Sequence, residues 1–324
     1  MAEAPYRNER DRICLIVNPR SGGGATGRRL DAIEASAKRW FSKYEIRLTE
    51  RSNHATAIAA EVAGAFDVVA AVGGDGTANE VVNGLMDGDR ARNPDVKFTV
   101  IPGGTGSDLI RSLQIPTHLD RGMAIAANGV DRACDLVAVR YTGPNGVEGR
   151  RLCANVTGFG VNGDVVRLAN GSSKRFGGSV TFFGATIQAL LSFTPPEVEL
   201  VWRGPDGEGR FEGKMLVGFI GNGHYCGGGM WIGREGSMSD GAAELVLVPQ
   251  MPAFDIARSL PRLYDGHLDR APGVRRARIH QLSARVLDGR SVTLDVDGES
   301  PGLLSSSYQV LPSVLQFRAA SPIV

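Results

Sequence analysis

Residues 66–85 read FDVVAAVGGDGTANEVVNGL, and three patterns succeed one another in them. Residues 68–72 form a short unbroken apolar run, the mark of a strand covered on both faces of a parallel sheet. Gly73-Gly74-Asp75-Gly76 then interrupts any regular element and predicts a tight turn with backbone at positive φ. Thr77 is a suitable N-cap, Glu80 three residues on completes a capping box, and Val81, Val82 and Leu85 make the apolar stripe of a helix. Strand, glycine turn and helix N-terminus together form an anion site. Unpaired N–H groups and the positive dipole end face the ligand, and missing side chains let the backbone approach it. A plain βα turn explains the glycines but not the acid among them. A carboxylate repels a phosphate unless a cation or a hydroxyl lies between, so Asp75 is a candidate handle for magnesium or for an acceptor hydroxyl.

The 324 residues exceed one ordinary core and predict two domains. A net charge of +1 argues against a nucleic-acid partner, which needs a strongly basic face. Cys14, Cys134, Cys153 and Cys226 have no CxxC spacing, and the first three lie in apolar runs. Buried, reduced thiols in a cytoplasmic protein are therefore expected, not disulfides or zinc ligands. The N-terminal MAEAPYRNERDR lacks the apolar core of a signal peptide, and no run approaches the roughly 20 residues of a membrane span.

Residues 13–17 predict another buried strand, with Asn18-Pro19-Arg20-Ser21-Gly22-Gly23-Gly24 as the turn beyond it. The glycine spacing of residues 22–29 imitates a Walker A loop, but the Lys-Ser/Thr that would hold phosphates and magnesium is missing, which excludes a P-loop. Residues 44–48 read as a strand ended by Thr49, and His54 opens a helix carrying Ile58, Ala59 and Val62. Residues 96–101 form a further strand, closed by a second glycine turn, PGGTGSD at 102–108, in which Thr105 is a natural cap. Two such turns at strand ends of one sheet are what a crevice site at the carboxyl ends requires. The βαβα order predicts a parallel sheet between helices. After Ala133 the pattern changes to short strand-like runs at 135–141, 151–157, 198–202, 214–221, 244–249, 281–287 and 291–296, as in an all-β sandwich. Helix-like segments interrupt at 180–193 and 252–264. The first, VTFFGATIQALLSF, is either a core helix or the wall of an acyl-chain pocket.

Four boxes, NPRSG, GGDGTANE, PGGTGSD and DGE, follow one another in the order of the diacylglycerol kinase catalytic family, which includes sphingoid-base, ceramide and bacterial lipid kinases. The chain resembles that family over nearly its whole length; NAD kinases and phosphofructokinases share a weaker GGD version. The resemblance implies that Asn18, Pro19, Ser21, Gly22, Thr49, Gly73, Gly74, Gly76, Thr77, Glu80 and Thr105 line the nucleotide. Arg28 reaches its phosphates or belongs to a solvated helix face. Ser107 stands where the family has Asn.

A DG hairpin turn explains Asp297 and Gly298, but not Glu299. The resemblance implies Glu299 as general base for the acceptor hydroxyl, with Asp75 as magnesium ligand and network partner. It also implies a structural magnesium on Asp240 and the carbonyls of Ser237 and Ala242, although Gly233-Arg234 replaces the usual Ala-Pro and a metal-free turn is the alternative.

The expected protein is an ATP- and Mg2+-dependent lipid kinase, cytoplasmic and peripheral at the membrane from which it takes its lipid. It joins a three-layer α/β nucleotide domain (1–133 plus 309–324) to a β-sandwich acceptor domain (134–308). Oligomeric state stays open, a homodimer included, as does the identity of the lipid. The alternatives are an NAD kinase-like enzyme and a catalytically inactive regulator that binds nucleotide and lipid.

Overall fold

A computed structural model describes residues 7–103, 107–143, 145–163, 193–234 and 236–320. Thr105 and residues 180–192 of the expected apolar helix lie outside them. The chain divides into two compact units, residues 1–134 with 313–324 and residues 135–312.

The first unit runs β1 (Asn8–Val17), α1 (Leu30–Trp40), β2 (Phe41–Leu48), α2 (His54–Val62), β3 (Val68–Gly73), α3 (Asp75–Leu85), the two-residue strands β4 (Met86–Asp87) and β5 (Arg90–Ala91), β6 (Lys97–Pro102), α4 (Asp108–Ser112) and α5 (Leu119–Asn128). Its sheet is parallel in the order β2-β1-β3-β6, and Gln316 and Phe317 of the returning C-terminal strand pair with Lys97 and Phe98. Residues 13–17 and 68–73 are wholly buried because helices cover both faces. Ile13, Leu15, Val17, Val68, Ala70 and Val72 pack with Ile33 and Ala37 of α1 and Met123 and Ala126 of α5. Their neighbours Cys14, Ile16, Val69 and Ala71 alternate to the opposite face, the side of α2 and α3. Those two helices touch at Gly84, where a Cβ would lie 2.3 Å from the Thr56 carbonyl oxygen. Arg318 fastens the returning strand, donating to Asp131 Oδ1 at 2.6 Å and Oδ2 at 2.9 Å and to Asp11 Oδ2 at 2.7 Å.

The second unit takes over within β7 (Val130–Thr142). It continues with β8 (Glu148–Cys153), β9 (Val156–Gly160), β10 (Glu197–Gly204), β11 (Gly207–Gly221), β12 (Tyr225–Cys226), β13 (Met230–Trp231), β14 (Ala243–Pro249), α6 (Ala253–Ser259), β15 (Arg275–Ile279), β16 (Gln281–Val286), β17 (Val292–Val296) and β18 (Leu303–Ala319). β11 serves two sheets: residues 207–214 pair with β10, and residues 215–221 pair with β14 and β9. One antiparallel sheet contains β7, β18, β16 and β10; the other runs β15-β14-β11-β9-β17. Phe159, Leu200, Leu245, Leu247, Leu294 and Tyr308 fill the space between them. Val246 and Val248 point the other way into a second apolar cluster with Val217, Phe219 and Met230, so β14 is buried on both sides.

Three sequence expectations are corrected here. The strand expected at 151–157 is two strands, broken at Ala154-Asn155, whose amides serve another purpose described below. The helix expected at 252–264 is α6 followed by a 3-10 turn, Leu260–Leu263, with Pro261 inside it. The strand-like runs expected after Ala133 also omit β15, RRARI, whose alternation rests on Ala277 and Ile279 alone. No helix among the described residues is long and apolar enough to cross a membrane. All four cysteines are buried, and none forms a disulfide.

Candidate active site

Three turns meet at the carboxyl ends of β1, β3 and β6. Asn18 N–H donates to the Val72 carbonyl at 3.0 Å, and Asn18 Nδ2 to Thr77 Oγ1 at 3.1 Å. Ser21 and Thr26 share a hydroxyl contact of 2.6 Å, and Thr26 Oγ1 donates to the Gly103 carbonyl at 2.7 Å. A Cβ on Gly103 would lie 2.6 Å from Thr26 Oγ1 and 3.1 Å from the Gly73 nitrogen, so only glycine permits this approach. Gly22, Gly23 and Gly24 follow one another at φ +60°, +64° and +83°. Gly27 N–H closes this loop on the Pro19 carbonyl at 3.0 Å. Arg28 is exposed, with Nη1 placed 3.3 Å from where a Gly24 Cβ would be. Thr49 is buried at the end of β2, its N–H on the Val17 carbonyl at 2.9 Å. His54 Nδ1 accepts from Glu50 N–H at 3.1 Å, a turn-closing contact.

The expected capping box does not form. α3 begins at Asp75 with Gly74 as N-cap, which puts Thr77 inside the helix. Glu80 reaches instead to the start of α2, accepting from Asn53 N–H at 2.9 Å and Ala55 N–H at 3.1 Å. The orphan N–H groups of that helix start, entered through Asn53 at φ +60°, bind a carboxylate from the neighbouring helix.

Asp75 accepts the Ser107 hydroxyl, Asp108 N–H at 3.0 Å and Leu109 N–H at 3.1 Å. It thereby ties the turn after β3 to the start of α4. Burial pushes its carboxyl up to about 6 and the charge of Asp108 pushes the same way, against those three donors. Asp108 is buried, with Arg111 Nε 3.6 Å from its Oδ1. Two mutually repelling acids beside a phosphate-type turn suit a nucleotide-bound divalent cation, and Asp75 and Asp108 are the residues that would hold it. Ser107 and Asp108 were legible only as motif positions; which acid they would meet was not.

In the second unit the DGE segment is a tight turn. Val296 N–H donates to the Glu299 carbonyl at 2.8 Å and Glu299 N–H to that of Val296 at 3.1 Å, with Asp297 at φ +49° and Gly298 at +84°. Glu299 is exposed. Asp297 is far more than a turn residue. It is buried and accepts Ala154 N–H at 2.8 Å, Asn155 N–H at 3.0 Å, Val156 N–H at 3.1 Å and the Cys153 thiol at 3.0 Å. Those amides are the break between β8 and β9. Asp295, also buried, takes Gly298 N–H at 2.8 Å and Asn162 Nδ2 at 2.5 Å. Burial raises its carboxyl to about 7, with the charges of Asp297 and Glu299 adding to the rise against those two donors. The alternation Asp295, Asp297 along β17, with Leu294 and Val296 facing the core, was the signal in the sequence for an acid face.

The loop expected to hold a structural magnesium is organised differently. Asp240 accepts Ser237 N–H at 2.8 Å and Ala242 N–H at 3.2 Å, and Arg278 Nη2 donates to Asp240 Oδ1 at 2.6 Å and to the Ala242 carbonyl at 3.2 Å. Two of the three groups named for the metal therefore already face a cation, and these residues do not fit a divalent ion.

An apolar pocket, partly open to solvent, lies on the outer face of the second sheet, under α6 and the 3-10 turn after it. Leu216, Phe219, Val248, Ile256, Leu263 and Leu268 line it. Phe193, the last residue of the expected apolar helix, packs against the same cluster.

Residues 12–139 match the diacylglycerol kinase catalytic domain and residues 155–319 the YegS C-terminal NAD kinase beta sandwich-like domain. A diacylglycerol kinase of Bacillus subtilis is 26% identical over 306 residues, covering 92% of each chain. A Xanthomonas oryzae protein named "Probable lipid kinase YegS-like" is 28% identical over 291 residues, 88% of each chain. A Mycobacterium tuberculosis diacylglycerol kinase is 25% identical over 318 residues, 96% of each. The crystal structure of a diacylglycerol kinase from Bacillus anthracis superposes with a TM-score of 0.68 at 19% identity, covering 97% of this chain and 98% of that one, which speaks to the fold. With both domains matched in order and the phosphate-type turns assembled as described, the chain belongs to the diacylglycerol kinase catalytic-domain family and is a lipid kinase, phosphorylating an alcohol group.

Proposed function

We propose that the chain transfers the γ-phosphate of ATP, bound with Mg2+, to a hydroxyl of diacylglycerol or a related lipid, with Glu299 as general base. The observation that carries this reading is the convergence of residues 18–27, 73–77, 102–103 and 107–109, bracketed by Asp75. Backbone N–H groups in left-handed glycine conformations and the N-terminus of α3 suit the polyphosphate. Ser21, Thr77 and Asn18 form the hydroxyl and amide rim of those turns, and Arg28 supplies an exposed positive charge beside Gly24. Magnesium, when bound, neutralises charge on the transferred phosphoryl group, and Asp75 with Asp108 would hold it.

Glu299 is exposed on a turn fixed from behind by Asp295 and Asp297, so its Oε is free to take the acceptor hydroxyl proton. The outer-face pocket suits an acyl chain because its lining offers almost nothing polar. Drawing lipid from a membrane surface follows from that pocket and from Phe254 of α6, which is 70% exposed beside it.

The test is a labelled-ATP assay with the purified protein against diacylglycerol, sphingosine, phosphatidylglycerol and NAD. A phosphorylated lipid is expected. Glu299→Ala and Asp75→Ala should each lower kcat by about a thousandfold, within the range of a general base or metal ligand, while leaving circular dichroism unchanged. Turnover of NAD alone, or full activity in both variants, refutes the reading.

A further inference from the structure

Arg276 and Arg278 alternate on β15 with Ala277 and Ile279, which face the core between the sheets. The two arginines therefore project to the opposite face, where Glu244 of β14 stands. Each meets an acid: Arg276 Nη1 pairs with Glu244 Oε1 on β14, and Arg278 Nη2 with Asp240 Oδ1 in the loop before it. Arg276 Nη1 also donates to the Ile232 carbonyl at 2.9 Å, and Glu244 Oε2 accepts Arg234 N–H at 2.7 Å. The loop between them is closed by Gly241 N–H on Asp135 Oδ2 at 2.7 Å and Asp135 N–H on the Met238 carbonyl at 2.6 Å.

Space has been cleared for the second guanidinium. Gly236 sits at φ +92°, and a Cβ there would lie 2.3 Å from Arg278 Nη1. The Arg278 side chain is 22% exposed and that of Asp240 32%, so the pair is partly withdrawn from water. A magnesium ion binds oxygen at about 2.0–2.1 Å in a near-octahedral shell. Bound to Asp240 Oδ1 and the Ala242 carbonyl together, it would fall on the volume of Arg278 Nη2, which donates to both. The like charge of a fixed guanidinium opposes it further, and the planar fork gives the loop two donor bonds without any ion to recruit.

We infer that Arg278, supported by Arg276 on Glu244, is the built-in cation of the 236–242 loop, so that this lipid kinase orders its acceptor-unit loop without a structural divalent metal. Any magnesium requirement then belongs to the nucleotide alone. This rests on the loop geometry and not on the assignment of Glu299 or of the acyl pocket.

Hydrogen exchange on the nucleotide-free full chain tests it. Protection of the Ser237, Gly241 and Ala242 amides is expected to be the same in excess EDTA and in millimolar Mg2+ or Ca2+. In Arg278→Met, which keeps the apolar stem and removes the charge, that protection should fall about tenfold, the ratio that accompanies loss of a charge-assisted pair. A divalent-dependent gain of protection or thermal midpoint in the wild type that Asp240→Asn abolishes would overturn the inference. So would wild-type protection in metal-free Arg278→Met. If Arg278→Met does not fold, the comparison of wild type with Asp240→Asn decides alone.

Discussion

Asp297 shows how a residue that reads as a turn former can organise a site. Its carboxylate gathers three consecutive backbone N–H groups and a thiol from the β8–β9 break, and its own N–H reaches the Val156 carbonyl at 3.1 Å. Asp297→Asn turns one acceptor oxygen into a donor facing donors, leaving buried N–H groups unpaired. A loss of about 1–3 kcal/mol in urea unfolding is expected, together with a fall in kcat exceeding the change in KM, because Glu299 is displaced rather than removed. Asp295 sets a pH dependence. Its folded pKa of about 7 lies above the ordinary carboxyl value of 3.8, so the folded state holds its proton more tightly and the stabilising contribution is complete below pH 3.8. That contribution declines as pH rises to 7. Urea unfolding at pH 5 and 7 should show a slope of at most about 1.4 kcal/mol per pH unit from this group, absent in Asp295→Asn. Asp75, raised to about 6, predicts the opposite trend for catalysis. Its protonation below pH 6 removes a magnesium ligand, so kcat/KM for MgATP should fall as pH drops through 6. A flat profile from pH 5 to 7.5 would exclude Asp75 as metal ligand.

At the scale of elements, close backbone approach does the work in the first unit. Gly103 brings the turn after β6 against Thr26 and Gly73, and Gly84 brings α3 against α2. Gly103→Ala should separate those turns by an ångström or so and weaken ATP binding by about a hundredfold, as small misplacements at reacting sites do. Melting of the second unit should be unaffected, which limited proteolysis with ATP titration can read. Gly84→Ala should cost about 1–3 kcal/mol through overpacking of the α2–α3 contact, with nucleotide affinity largely kept in the folded fraction. α6 with its 3-10 turn roofs the apolar pocket. Ile256→Trp should fill part of it and raise KM for a long-chain diacylglycerol while sparing a short-chain, water-soluble analogue. Equal effects on both would place the acyl chain elsewhere.

Across the whole molecule, each unit has its own apolar core, so ligands should protect them separately. MgATP is expected to slow amide exchange in residues 18–27, 73–79 and 107–109, and lipid in residues 216–219 and 248–271; the reverse pattern would refute the division of labour. The sequence by itself determined the parallel βα order, the strands buried on both faces and the phosphate-type turns. These depend on runs of four to eight apolar residues and on glycines whose freedom is a local property of the chain, although the positive φ expected at residues 73–76 occurs in the 22–24 loop instead. DGE was legible as a turn with a surplus acid, and the four boxes in order as a lipid kinase. Only the tertiary structure decided what the charged groups bind. Glu80 caps a different helix, Asp75 is shared with the Ser107 turn, Asp297 holds the β8–β9 break, and Arg278 meets Asp240 from a strand 38 residues further on. The partners of these carboxylates lie 25 to 144 residues away along the chain, and no local periodicity encodes which donors folding will place around them.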